Sequence, residues 1–317
     1  MQNLSMKRRD ILSGAAALTA GLAFGPFRPA AAATGDASSA AITKPIPSTG
    51  ERLPVIGLGT NQYGVQTAEE MTALQEVLEQ MVKLGGSVVD TARGYGRSEE
   101  VIGDLLRRMG NRDRFFLSTK TPIRGELDAP DVEVRTSLDR LKVDRVDLML
   151  IHNLHGMDAL MPALIRAKSK GRTRYIGMST STDDQYEGQM AGMRRYPLDF
   201  IQVDYSIANR SAADRVLPLA QERGMAVLVN VPFGGRRDAA AIFGRVANKP
   251  LPSFAADIGA ASWAQFFLKY VVSHPAVTVA IPGTTKVKHL VDNQGAGRGR
   301  LPDAAMRREM ERYWDSM

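Results

Sequence analysis

Eight short apolar runs recur along the chain, with amphipathic stretches filling the gaps between them. They are Val55–Thr60, Ser87–Ala92, Phe115–Lys120, Val146–His152, Thr173–Thr180, Phe200–Ser206, Ala226–Phe233 and Thr278–Thr284. Near-continuous apolarity over so few residues predicts strands buried on both faces, as in a parallel sheet. The gaps show helical spacing instead. From Thr67 to Lys83, Met71, Leu74, Val77, Leu78 and Met81 share one face, with Thr67 as N-cap and two glycines at the end. Ser98 is expected to cap the following helix, with Glu99 and Glu100 in the first turn, where the helix dipole favours acid. Strands and helices alternating in this number predict a closed (β/α)8 TIM barrel over residues 54–317. An open doubly wound α/β sheet is the alternative, and it usually has fewer strands.

Other patterns complete the layout. Residues 34–53 are rich in Ser, Pro and Thr and read as a linker and barrel cap, with Pro47–Arg52 as the turn of a short hairpin. Gly234–Gly259 carries no strand pattern, and a long irregular connection in a compact domain is expected to be a functional lid. Trp263, Phe266, Phe267 and Tyr270 recur at helical spacing and read as core, as do Met190 and Met193.

Composition changes the picture mainly at the N-terminus. With 44% apolar and 24% charged residues, the chain has ordinary globular composition. Lys7, Arg8, Arg9 and Arg28 against Asp10 supply +3 of the net +7. The remainder is too small a surplus to argue for nucleic acid. Runs such as Gly234–Asp238 and Gly297–Arg300 read as solvated surface. Residues 1–33 carry paired Arg8 and Arg9, a mildly apolar run from Ile11 to Gly25, and small residues after Pro29. That run is shorter than the ~20 residues of a membrane-spanning helix, so no stable membrane anchor is expected. The segment reads as a twin-arginine export signal. It predicts a folded protein handed to the twin-arginine export machinery and delivered to the periplasm. Cysteine is absent from the sequence. That excludes thiolate nucleophiles, Cys-ligated metals and disulfides.

In a barrel, the C-terminal ends of the strands form the active face. Asp90 ends the second run, Tyr95 follows in its loop, Lys120 ends the third and His152 the fourth. Three adjacent strands thus deliver a carboxylate, a phenol, an amine and an imidazole to one rim. This mixture suits proton donation by a weak acid. A phenol, with pKa near ~10, donates poorly at neutral pH unless a cation stabilises its phenolate. Lys120 can be that cation, Asp90 can hold it charged, and His152 can orient a carbonyl. Each piece alone has a plainer reading: Asp90 and Lys120 as a buried ion pair, Tyr95 as a loop anchor. Their joint arrival on consecutive strands favours chemistry. His152 and His155 straddle a strand end with no third ligand, which argues against metal. Gly57 and Gly59 lack the third glycine and the helix of a dinucleotide fingerprint. They predict close backbone approach at the barrel mouth.

The segments "DTARGYGRSEEVIG", "FLSTK", "LIHN", "IQVDYS" and "IPGTTKVKHLVDN" resemble the signatures of the aldo-keto reductases. They occur in order, over roughly Pro54 to Asn293. The resemblance implies a TIM barrel that binds NADPH, or NADH, in an extended pose without a Rossmann fold. It implies that Asp90, Tyr95, Lys120 and His152 are the catalytic tetrad, reducing a small-molecule aldehyde or ketone with Tyr95 as proton donor. Ser179 and Gln202 match residues that hold the nicotinamide carboxamide. Thr180 stands where that family usually has Asn, Asn230 where it often has an aromatic, and Gly283 where many members have lysine. Thr284, Lys286, Lys288 and His289 lie near the usual 2′-phosphate site, and Asp292 and Asn293 match adenine contacts. A second class stays open: a nucleotide-binding barrel serving as a periplasmic sensor or assembly subunit. A periplasm has no obvious supply of reduced nicotinamide, and Thr180 and Asn230 depart from the family pattern.

Overall fold

A computed structural model describes residues 40–234 and 242–317. The leader expected over residues 1–33 lies outside them, as do residues 235–241 of the expected lid. Eight parallel strands follow one another around a single sheet: β3 (Leu58–Gly59), β4 (Val88–Asp90), β5 (Phe116–Lys120), β6 (Val146–Ile151), β7 (Thr173–Ser179), β8 (Phe200–Asp204), β9 (Ala226–Asn230) and β10 (Val279–Ala280). Parallel bridges Ile56↔Ala280 and Gly59↔Gly283 join the first strand to the last. The fold is the (β/α)8 barrel.

Close packing of the first strand against both of its neighbours explains the two early glycines. A Cβ on Gly57 would lie 2.9 Å from the Val88 oxygen, and one on Gly59 2.9 Å from the Ile281 oxygen. Side chains there would push the strands apart.

Around the barrel pack α1 (Ala68–Lys83), α2 (Ser98–Met109), α3 (Pro130–Leu141), α4 (Met157–Ser169), α5 (Tyr186–Arg195), α6 (Ala212–Glu222), α7 (Trp263–Val272), α8 (Val287–Gly295) and α9 (Ala304–Ser316). Helix α1 starts as its sequence predicts. The Thr67 hydroxyl accepts from the Glu70 N–H, and the Glu70 carboxylate accepts from the Thr67 N–H, each at 3.1 Å. This capping box satisfies two N–H groups that the helix leaves without partners. Leu74, Val77, Leu78 and Met81 are buried as expected, and Met71 is partly buried.

Helix α2 corrects an expectation. Its N-cap is Arg97, and Ser98 is the first helical residue. The Ser98 hydroxyl turns inward instead, donating to the Thr60 oxygen at 3.0 Å and pairing with the Thr91 hydroxyl at 2.9 Å. Glu99 and Glu100 stand in the first turn as expected, and Glu99 is buried there. At Ser98, tertiary hydrogen bonds outweigh local capping.

Two apolar layers result. Outside the sheet, the helices bury their inward faces against it, including Met190, Met193, Phe266, Phe267 and Tyr270, with Trp263 partly buried. Inside the barrel, Phe116, Leu148, Leu150, Tyr175, Phe200 and Leu228 fill the lumen. An antiparallel hairpin, β1 (Thr43–Pro45) and β2 (Arg52–Pro54), adds Ile46 and Leu53 to that inner core. Lys44 of the hairpin donates to three main-chain oxygens, Val272, His274 and Val277, at 2.7–2.9 Å. A cation there is favoured by the negative end of α7. Among the described residues, no helix is long and apolar enough to cross a membrane.

Candidate active site

Asp90 and Lys120 end neighbouring strands at the C-terminal rim, and both are almost wholly buried. The Lys120 Nζ lies 2.5 Å from Asp90 Oδ2 and 2.8 Å from the Thr91 oxygen. The other carboxylate oxygen, Oδ1, accepts from Ser118 Oγ at 2.8 Å and from Gln202 Nε2 at 3.1 Å. Burial works against the Lys120 charge, but Asp90 and then Tyr95 outweigh it, and its pKa lies above the ordinary lysine value. Removing either partner of such a pair would leave a buried charge uncompensated, at a cost of about 3–5 kcal/mol.

Tyr95 and His152 close the cluster. The ammonium sits 5.2 Å from the centroid of the Tyr95 ring. That ring meets His152 edge-on, with centroids 5.8 Å apart. Gly94 makes room beside them: a Cβ there would lie 3.0 Å from Ile123 and 3.6 Å from His152 Cε1. Burial, and then the Lys120 cation, push the His152 pKa down to about 3, so its ring is neutral. Its Nδ1 is buried without a partner. A buried lone pair without a partner is less costly than a buried N–H without one, which assigns the proton to Nε2. The structure therefore brings all four predicted residues together. His155 turns away, its Nε2 lying 3.0 Å from the Gly125 oxygen. Among the described residues, no cluster of His, Asp and Glu could hold a metal ion.

The residues expected to hold the cofactor divide into two groups. Some have their side chains taken up within the protein. Ser179 Oγ accepts from the Asn153 N–H at 3.1 Å and donates to the Ile151 oxygen at 3.2 Å. Thr180 is fully buried, and its hydroxyl donates to Gln189 Oε1 at 2.9 Å, away from the role an amide would have there. Both Asp292 oxygens accept bonds, from Ser262 Oγ and Gln265 Nε2, each at 2.9 Å. Asn293 is buried on α8, and Thr284 folds its hydroxyl back onto the Lys286 N–H at 3.1 Å.

The others carry polar groups that the protein itself leaves without partners. Asn230 Nδ2 donates to the Thr180 oxygen at 2.8 Å, but its Oδ1 is buried with no partner. Helix α8 has Lys286 as its N-cap, with no side-chain capping bond, and Lys286, Lys288 and His289 are exposed around the first turn. This donor set fits a nicotinamide dinucleotide. A carboxamide brings the N–H that Asn230 Oδ1 lacks, and a phosphate suits free N–H groups beside two lysines.

Sequence reading overlooked Ser118 as a holder of Asp90. The signal was present: Ser118 and Lys120 are two apart on one strand and so face the same way.

Comparisons with known proteins point to one family. The model of the Aldo/keto reductase family matches residues 55–311. "Aldo-keto reductase str7" of Strobilurus tenacellus is 29% identical over 290 residues, covering 78% of this chain and 84% of that protein. "Aldo-keto reductase yakc [NADP(+)]" of Schizosaccharomyces pombe is 28% identical over 303 residues, covering 81% and 87%. The structure of an aldo/keto reductase from Klebsiella pneumoniae, in complex with NADP and acetate, superposes with a TM-score of 0.70. It shares 26% identity, covering 84% of this chain and 93% of that one.

Proposed function

The chain belongs to the aldo/keto reductase family, and from that premise we propose that it reduces an aldehyde or ketone to the alcohol with NADPH, in preference to NADH. Bound NADPH supplies the hydride. Asn230 Oδ1, with Gln202 beside it, would hold the carboxamide. The uncapped start of α8, with Lys286 and Lys288, would hold the 2′-phosphate.

The protein's own part is to manage a proton. As negative charge develops on the carbonyl oxygen, the Tyr95 phenol donates its proton to it. Lys120, kept charged by Asp90, stabilises the phenolate that remains. Ser118 and Gln202 occupy the outer carboxylate oxygen and stop Asp90 from swinging away. His152 is neutral and donates from Nε2 to the carbonyl oxygen, fixing which face the phenol meets.

One observation carries this reading: a fully buried ammonium lies against both a carboxylate and a phenol. A barrel that only bound nucleotide, as a sensor or assembly subunit, would have no use for that arrangement. The test is Tyr95→Phe. Carbonyl turnover should fall ~10²–10⁴-fold, the usual worth of a positioned proton donor. NADPH affinity, followed by fluorescence titration, should stay near the wild-type value. Turnover at the wild-type rate in this variant rejects the mechanism.

A further inference from the structure

Holding a phenol against a buried ammonium requires a fixed backbone on both sides of Tyr95, and two side-chain clamps supply it. Two residues before Tyr95, Arg93 Nη1 donates to the Glu133 main-chain oxygen at 3.2 Å and also to the Glu133 carboxylate. The side chain of Glu133 is only 2% exposed, and its other oxygen accepts from the Asp128 N–H at 2.7 Å. One residue after Tyr95, the Gly96 main-chain oxygen accepts from Arg140 Nη2. Arg140 Nε also lies 3.1 Å from the buried Glu99. Glu99 in turn accepts from Thr119 Oγ1 at 2.6 Å, and Thr119 immediately precedes Lys120.

Both clamps end on one helix. Glu133 and Arg140 are seven residues apart on α3, about two turns, so they share a face. That face grips the Tyr95 loop before and after the phenol. Its Arg140 also stands within ion-pair range of Glu99, without a hydrogen bond at Nε, and Glu99 is tied by Thr119 to the strand that carries the ammonium. The loop's ends are closed separately by the Thr91–Ser98 hydroxyl pair.

We propose that Glu133 and Arg140 are positioning residues, which set the placement of Tyr95 against Lys120 through Arg93 and the Gly96 main chain. The proposal rests on the tetrad reading above. Both residues lie on α3, outside the tetrad. Misplacing a reacting group by about 1 Å costs ~10²-fold in rate, so the effect belongs in kcat.

The experiment compares Glu133→Gln, Arg140→Met and the milder Arg93→Lys with Tyr95→Phe and with Asp131→Asn. Asp131 pairs with Arg166 on the exposed side of α3, away from the loop. Glu133→Gln and Arg140→Met should each lower kcat ~10–100-fold, with NADPH affinity and melting temperature near wild type. Arg93→Lys, which keeps a cation for Glu133, should recover most of the rate. Asp131→Asn should leave kcat unchanged. Wild-type kcat in both clamp variants, while Tyr95→Phe is inactive, overturns this inference alone. So does a kcat loss that merely tracks the unfolded fraction, or one that brings an equal loss of NADPH affinity. If Glu133→Gln and Arg140→Met fail to fold, the kcat of Arg93→Met, which removes the donor to Glu133, decides: a fall in rate at unchanged NADPH affinity supports the clamp, and a wild-type rate overturns it. An active Tyr95→Phe instead removes the tetrad reading on which the proposal stands.

Discussion

Across β4 and β5 the rim's charged groups are bound within the protein, whereas across β9 and β10 polar groups are left for something else to bind. Asp90 has both oxygens occupied, and Lys120 is shared between Asp90 and the Thr91 oxygen. On the other side Asn230 Oδ1 has no partner, α8 starts without a cap, and Lys286 and Lys288 reach into solvent. The first half is organised before any ligand arrives. Its dipoles need not rearrange during reaction, which is where electrostatic catalysis gains most. The second half carries unmet hydrogen-bonding demand. A buried polar atom without a partner costs about 1–3 kcal/mol, and a ligand that pairs with it recovers that amount as affinity.

This contrast can be broken or sharpened in a definite order. Tyr95→Phe should have the largest effect, in turnover and not in cofactor affinity, because it falls in the organised half.

Lys286→Gln with Lys288→Gln should show the reverse. NADPH affinity should weaken by ~10-fold or more, as expected for lost charge-assisted bonds. NADH affinity and kcat at saturating NADPH should change little. Titrations with both nucleotides at two salt concentrations check this, and equal weakening for both would move the 2′-phosphate elsewhere.

The smallest effect is one of pH. The His152 pKa falls from an ordinary 6.5 to about 3, chiefly through burial and then through Lys120. Between those limits the unfolded chain takes up a proton that the folded protein refuses. Stability from the neutral ring is therefore whole above about 6.5 and drains away as pH falls toward 3. Melting temperatures from about pH 7 to about pH 4 should drop more steeply for the wild type than for His152→Gln. The kcat profile should lack an imidazole inflection near 6.5, and an inflection there that His152→Gln removes would contradict a neutral ring.

The export reading of residues 1–33 is a proposal of a different kind, supported by Arg8, Arg9, the apolar run after them and the small residues at its end. Fractionating cells that express the chain with Arg8→Lys and Arg9→Lys checks it; continued export of that variant would rule out the twin-arginine route.

Much of the barrel and of its candidate rim was legible from the order of residues. The eight runs stood out because strands buried on both faces must be apolar at nearly every position. The α1 box was legible because its two partners are three residues apart. The tetrad was legible because each member ends a strand or follows one. Ser98, Glu99 and Thr180 were harder to read, since their partners lie on other elements. Gln202 reaches Asp90 across 112 positions of sequence, and no local pattern reports such a bond.

By itself, then, the order of amino acids determined the strands, the helices and the rim to which chemistry-bearing residues are delivered. Periodicity and strand-end position are properties of neighbouring residues, and burial acts on them directly. Only the closed barrel decided which hydroxyls turn inward, which amide keeps a free oxygen, and that one helix grips both sides of Tyr95. Closure brings Ile56 beside Ala280. Once distant strands share a rim, each polar group takes the partner that burial puts within reach.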